Sequence, residues 1–182
     1  AGVVALTLAT LRRDRLRIAL WVLGLCAMTV FSAQAVIDLF PTQADLDAAA
    51  ASSSSPAIVA FNGPAQGLDT LGGQAVFQIG APGLAFFGIM SLLMVGRMVR
   101  AEEESGRLEL IRSLPVGRHA PVTSAAIVVG SMAAAIGLVT TLGWIALGLP
   151  ATGSISYGLS LALFTMVIAA IQRQLSFETI RA

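Results

Sequence analysis

The amino-acid sequence predicts an all-α, polytopic membrane protein with four transmembrane helices, and three observations carry that prediction. Only 12% of the residues are charged, against roughly 25% in an ordinary soluble domain, and mean hydropathy is +0.84. The apolar residues gather into runs long enough to cross a bilayer, for which a helix needs ~20 residues. The eleven basic residues, all arginine, are confined to alternate ends of those runs.

Taken in order, residues 1–17 end in RRDRLR (Arg12 to Arg17) and read as a cytoplasmic or interfacial segment. The first span is 18–37, IALWVLGLCAMTVFSAQAVI, followed by Asp38. An arginine-led apolar run can be a cleaved signal peptide. This one is too long, lacks a clear small-residue cleavage site, and is followed by further apolar runs. Residues 38–74 change character. PTQADLDAAAASSSSPA and NGPAQGLDTLGG carry Asp45, Asp47 and Asp69, no Arg, and clusters of Gly, Pro and Ser. That composition is loop outside the membrane, with room for a brief helix over Ala44 to Ala51.

The second span is 75–98, with Arg97 and Arg100 marking its return to water. Pro82, between Gly80 and Gly83, is expected to kink it or to break off a short entry segment. From His119 to Gln172 no residue carries a formal charge. That is too long for one helix, and GLPATGS (Gly148 to Ser154) supplies a turn dividing it into spans at 121–147 and 155–171. The third span carries small residues four apart, Gly130 with Ala134 and Ala133 with Gly137, a spacing that lets two helices approach closely. The tail QRQLSFETIRA is polar.

Arginine placement orients the spans. Arg12, Arg13, Arg15 and Arg17 precede the first; Arg97, Arg100, Arg107, Arg112 and Arg118 lie between the second and third; Arg173 and Arg181 follow the fourth. The two opposite loops have none. By the positive-inside rule the amino end and the 99–118 segment face the cytoplasm, as in a multi-pass protein of the plasma membrane.

The same composition narrows function. No ionisable group lies at depth in a span, so a proton relay or an embedded hydrolase has nothing to run on. Neither a zinc-protease motif nor a Walker phosphate loop occurs, and no metal or catalytic residue is expected in this chain. The lone His119 flanks a span beside Arg118, and the lone Cys26 lies in an apolar run as a small hydrophobe. A net charge of +1 and the lack of basic patches interleaved with aromatics exclude a nucleic-acid surface.

Charge is instead concentrated at 100–118, RAEEESGRLELIRSLPVGR, which holds eight of the twenty-one charged residues. Its spacing suggests that the second span continues through Glu104, with Arg100 and Glu104 paired at i,i+4. Gly106 interrupts, and a second short helix follows from Arg107 to Leu114, ended by Pro115. Leu108, Leu110, Ile111 and Leu114 share one side of it, and Glu109, Arg112 and Ser113 the other.

The stretch 102–118 resembles the cytoplasmic segment of ABC-2-type transporter permeases at Glu102, Glu103, Gly106, Leu108, Glu109, Leu110, Ile111, Pro115, Val116 and Arg118. With NGPAQGLDTLGG before the second span, it is similar to bacterial exporters of polyketide antibiotics of the tetronasin-resistance type. In that family the segment is a coupling helix docking on a separate ATP-binding cassette ATPase. The resemblance therefore implies an ATPase contact through Glu102, Glu103, Gly106, Arg107, Glu109, Arg112, Pro115 and Arg118. It implies that ATP and Mg are held by the partner, with no cofactor in this chain. Family members carry six spans per half, so this chain is expected to be part of a longer permease, its second half fused or supplied by a homodimer. A membrane scaffold or sensor recruiting a regulatory protein through the charged loop is the alternative. Phe77, Phe86, Phe87, Met90 and Met94 on the second span offer adaptable apolar surface for a substrate path.

Overall fold

The computed structural model of the protein describes residues 2–53, 55–64, 66–104 and 120–179. They form seven helices: α1 (Gly2–Arg13), α2 (Arg15–Leu39), α3 (Gln43–Ser52), α4 (Pro56–Asn62), α5 (Leu71–Glu104), α6 (Ala120–Ala146) and α7 (Ala151–Thr179). Among the described residues there is no strand. Four helices are long and apolar enough to span a membrane, over Arg15–Leu39, Leu71–Arg97, Thr123–Ala146 and Ala151–Gln172. The fold is that of a polytopic helical membrane protein. Leu20, Leu23, Phe31, Leu92, Leu138, Leu159 and Val167 stand largely exposed along these helices, as side chains facing lipid must, because hydrocarbon rather than water is their solvent.

The helices contribute to two compact units. The first comprises 1–22, 88–135 and 162–182, and the second 23–87 and 136–161. Among the described residues every arginine belongs to the first. There the segment read as a cytoplasmic or interfacial lead is the helix α1, joined to α2 by a bend at Asp14. Backbone bonds run through the bend, from the Asp14 amide to the Thr10 carbonyl and from the Ile18 amide to the Asp14 carbonyl, both 2.9 Å. The Asp14 side chain is buried and accepts from Arg13 Nε at 3.2 Å and Arg17 Nη1 at 2.9 Å. The Thr7 hydroxyl contacts that of Ser124 at 3.2 Å, tying α1 to α6. Met90, Met94, Val128, Val129, Met132 and Ala133 form this unit's core.

The second unit is held by polar contacts among apolar surroundings. Thr29 of α2 and Thr140 of α6, both fully buried, bring their hydroxyls within 3.0 Å. One turn on, Trp144 Nε1 donates to the Thr29 carbonyl at 3.1 Å. Backbones approach closely where side chains vanish. A Cβ built on Gly158 of α7 would collide with the Gly137 carbonyl and the Thr141 hydroxyl of α6, and one on Gly143 would stand 2.6 Å from Val30 of α2. Of the small residues singled out in the sequence, Gly137 is at such a contact, while a Cβ on Gly130 would meet nothing within 4 Å.

Helix ends account for the remaining boundaries. α3 opens with a capping box in which Thr42 and Asp45 satisfy each other's backbone amides, and its extent agrees with the brief helix expected there. Thr70 caps α5, its hydroxyl accepting from the Gly73 amide at 3.0 Å, so the helix begins at Leu71 and not at residue 75. Pro82 breaks off no entry segment, and α5 runs unbroken past it. A proline removes one rung of the ladder, the bond to residue i−4, and a membrane helix tolerates this where neighbours pack around it. The turn expected over Gly148 to Ser154 is confined to 147–150. Gly148 at φ 89° closes α6, its amide bonding to the Ile145 carbonyl and that of Leu149 to the Trp144 carbonyl, a Schellman end that needs a residue at positive φ. Pro150 then starts α7, and Ala151 to Ser154 form its first turn instead of loop. At the far end α7 extends as a helix through the polar tail to Thr179, beyond its apolar stretch Ala151–Gln172.

Two expected outcomes test this packing. Thr29→Val and Thr140→Val should each lower stability in detergent by about 1 kcal/mol, with a coupling of ~0.6–1.7 kcal/mol in the double-mutant cycle. Gly158→Val should sharply reduce the yield of folded protein on size-exclusion chromatography, whereas Gly130→Ala should leave it unchanged.

Candidate functional site

Within the second unit a cavity of about 710 Å³ opens beside the start of α5 and the start of α7, within the ~300–1,000 Å³ usual for small-molecule sites. Its walls come from the α4–α5 connection (Asn62, Gly63, Pro64, Gln66), the first turns of α5 (Gly72, Gly73, Val76, Phe77, Gly80, Ala81, Leu84), the end of α6 (Trp144, Leu149) and the first turns of α7 (Pro150, Gly153, Ser154, Ser156, Tyr157, Ser160, Leu161). A smaller hollow of about 300 Å³ shares Thr70, Gly72, Leu149 and Pro150 with it and reaches Gln43 and Asp69.

Local structure builds this cavity. The Schellman end of α6 turns the chain sharply, so that Trp144 and Tyr157 meet as a stacked pair with ring centroids 4.4 Å apart and planes 13° from parallel. Trp144 is fixed from behind by its bond to Thr29. Gly63 (φ 92°) and Gly67 (φ 66°) let the α4–α5 connection fold over the cavity with backbone angles that other residues resist. Gln74, buried beneath that connection, donates to the Leu68 carbonyl at 3.2 Å.

The lining hydroxyls have largely committed their hydrogens. Ser154 donates to the Pro150 carbonyl at 3.0 Å, Ser156 to Thr152 at 2.9 Å, Ser160 to Ser156 at 2.7 Å and Thr70 to Gly67 at 2.8 Å. They therefore face a ligand as acceptors. The Tyr157 hydroxyl is buried without a hydrogen-bond partner, 3.6 Å from where a Cβ on Gly83 would stand. No described lining residue is charged. The polar groups of the described wall are amides and hydroxyls, which can bind and orient a molecule.

Of the residues assigned to a substrate path, Phe77 lines this cavity. Phe86 is half exposed on the outside of α5. Phe87 is fully enclosed in the core of the second unit, and Met90 and Met94 are buried in that of the first. The cavity thus gathers one of the five. Trp144, Tyr157, Asn62 and Gln66 went unnoticed in the sequence. Its one signal was that aromatic residues with a polar edge concentrate near membrane interfaces, and Tyr157 is the chain's single tyrosine.

Of the residues expected to contact an ATPase, two are described. Glu102 and Glu103 belong to the last turn of α5, which reaches Glu104 as the spacing predicts. Gly106, Arg107, Glu109, Arg112, Pro115 and Arg118 lie outside the described residues.

No family model matches the chain. It is similar to a protein of Mycobacterium tuberculosis named a multidrug efflux system permease protein, at 38% identity over 181 residues, covering 96% of this chain. The chain spans about a third (32%) of that protein's length.

Filling the cavity should be tolerated by the fold. Val76, part-exposed on the wall, replaced by Trp should shift the thermal midpoint in detergent by no more than about 3 °C, because surface changes away from the core usually cost within ~0.5 kcal/mol. Trp144→Phe removes both the bond to Thr29 and part of the stack, and should cost about 1 kcal/mol for the lost hydrogen bond, because the Thr29 carbonyl keeps its partner along α2.

Proposed function

We propose that the chain is a membrane permease segment of an ATP-binding cassette exporter of the ABC-2 type, moving drugs, antibiotics or other amphipathic compounds out of the cell. The observation that carries this reading is the relative named a multidrug efflux permease, aligned over nearly the whole chain, together with four helices fit to span a membrane. The chain itself works as a transport element and not as an enzyme. ATP hydrolysis falls to a separate subunit, and a second permease half completes the path.

The charged stretch is the surface through which a soluble motor pushes on an otherwise lipid-embedded protein. Glu102, Glu103, Glu109 and Arg112 supply charge-assisted contacts that set partner choice and register more than raw affinity, with Gly106, Arg107, Pro115 and Arg118 completing the coupling segment. In this reading Phe77, Phe86, Phe87, Met90 and Met94 of α5 contribute adaptable apolar surface to the substrate path, and the lining of the cavity by Phe77 supports it. The arginine asymmetry supports an amino terminus inside, in the plasma membrane, with 38–74 outside.

Topology is tested by cysteines at Ser53 and Ser113 in a Cys26→Ala background. They should react with an impermeant maleimide from opposite sides of the membrane, and labelling from one side would overturn the orientation. Coupling is tested by Glu103→Lys and Glu109→Lys. Each should weaken co-purification with the ATPase or abolish drug-stimulated hydrolysis, with insertion intact. Loss of a desolvated charge pair costs ~2–5 kcal/mol, against about 1 kcal/mol or less for an exposed one. Normal assembly and stimulation in both variants would overturn the coupling role.

A further inference from the structure

We propose that the cavity beside Trp144 and Tyr157 is a binding site for an uncharged amphipathic small molecule with an apolar body and a few hydrogen-bonding groups. Its part in export rests on the permease reading; its ability to bind does not.

Four features of the wall select that ligand. The volume of about 710 Å³ suits a drug-sized molecule. The described lining residues carry no charge of either sign, so an ion entering would lose its hydration with no counter-ion to replace it. Val76, Ala81 and Leu84 give apolar surface edged by the nearly buried rings of Phe77 and Tyr157, against which the apolar body of a ligand packs. Polar groups are few. The side-chain amides of Asn62 and Gln66 offer both donors and acceptors, while the Ser156 and Ser160 hydroxyls, their hydrogens spent on helix carbonyls, offer acceptors along α7. Rigid placement of the wall follows from its anchors, since Trp144 is held by Thr29 and α7 is pressed against α6 at Gly158.

The test is photolabelling of the full permease in proteoliposomes with an uncharged benzophenone bearing an alkyne, compared with its carboxylate and quaternary ammonium analogues, and with crosslinked peptides identified by mass spectrometry. Saturable labelling within 62–84 and 144–161 is expected, about tenfold weaker for both charged analogues. Val76→Trp should reduce the uncharged probe's labelling about tenfold. Ser156→Asp should reverse the preference toward the ammonium analogue, a gain that a misfolded variant cannot produce. Labelling that never saturates and follows partition into lipid, or that is equal for all three probes, would overturn the proposal. So would labelling unchanged by both substitutions. Drug export measured in parallel separates the two readings. Site labelling without any export by the assembled transporter would sink the permease reading and leave the binding site standing. Export of the uncharged probe undiminished by Val76→Trp, with labelling lost, would overturn the site's role in transport.

Discussion

A tryptophan N–H bonded to the carbonyl of a threonine on a neighbouring helix organises the second unit. In hydrocarbon every polar group must find its partner inside the protein, and a helix carbonyl already engaged along its own axis can still accept a second bond from outside. Trp144 uses that second position on Thr29, and the Thr29–Thr140 hydroxyl pair one turn away sets the same two helices in register. With the indole fixed from behind, its free face becomes a place where Tyr157 stacks. The cavity wall is thus a by-product of polar satisfaction between α2 and α6.

Close packing in this unit relies on absent side chains. Hydrophobic burial cannot drive helices together in lipid, which is as apolar as leucine, so van der Waals contact between backbones has to contribute. Gly158 lying against Gly137 and Thr141, and Gly143 against Val30, are two such contacts. Both lie on α6, which is therefore gripped by α7 and by α2 at once. The first unit uses different means. Its core is rich in methionine, and its buried carboxylate, Asp14, is neutralised by two arginines at a helix bend.

The spans were legible because a bilayer imposes one length and one solvent on them. Thus each of the four apolar runs falls within or against an observed helix long and apolar enough to span a membrane. Boundaries set by local hydrogen bonds were less so. The Gly-Gly pair after Thr70 looks like loop by composition, yet the threonine hydroxyl makes it the first turn of a helix. The ATGS run after Pro150 has turn chemistry, but Gly148 and Leu149 complete the reversal before it begins. α4, with proline at its first position, lies in a segment whose serine and glycine content hid it. The cavity was least legible. Tyr157 and Trp144 are thirteen positions apart on different helices, and only the geometry of the reversal between them decides that their rings meet.

Proline within α5 has a mechanical meaning. Pro82 contributes no amide hydrogen, so the ladder lacks the rung that would join it to the Gln78 carbonyl. Bending stiffness in a helix comes from those rungs, and kinks form where one is missing. α5 is therefore most compliant over the turn 78–82, where Gly80 and Ala81 face the cavity. The same helix carries the chain onward to Glu104, at the edge of the charged stretch. A rod with one soft joint does not spread a load evenly. Its curvature gathers at the joint, and here the joint is part of the wall of the chamber.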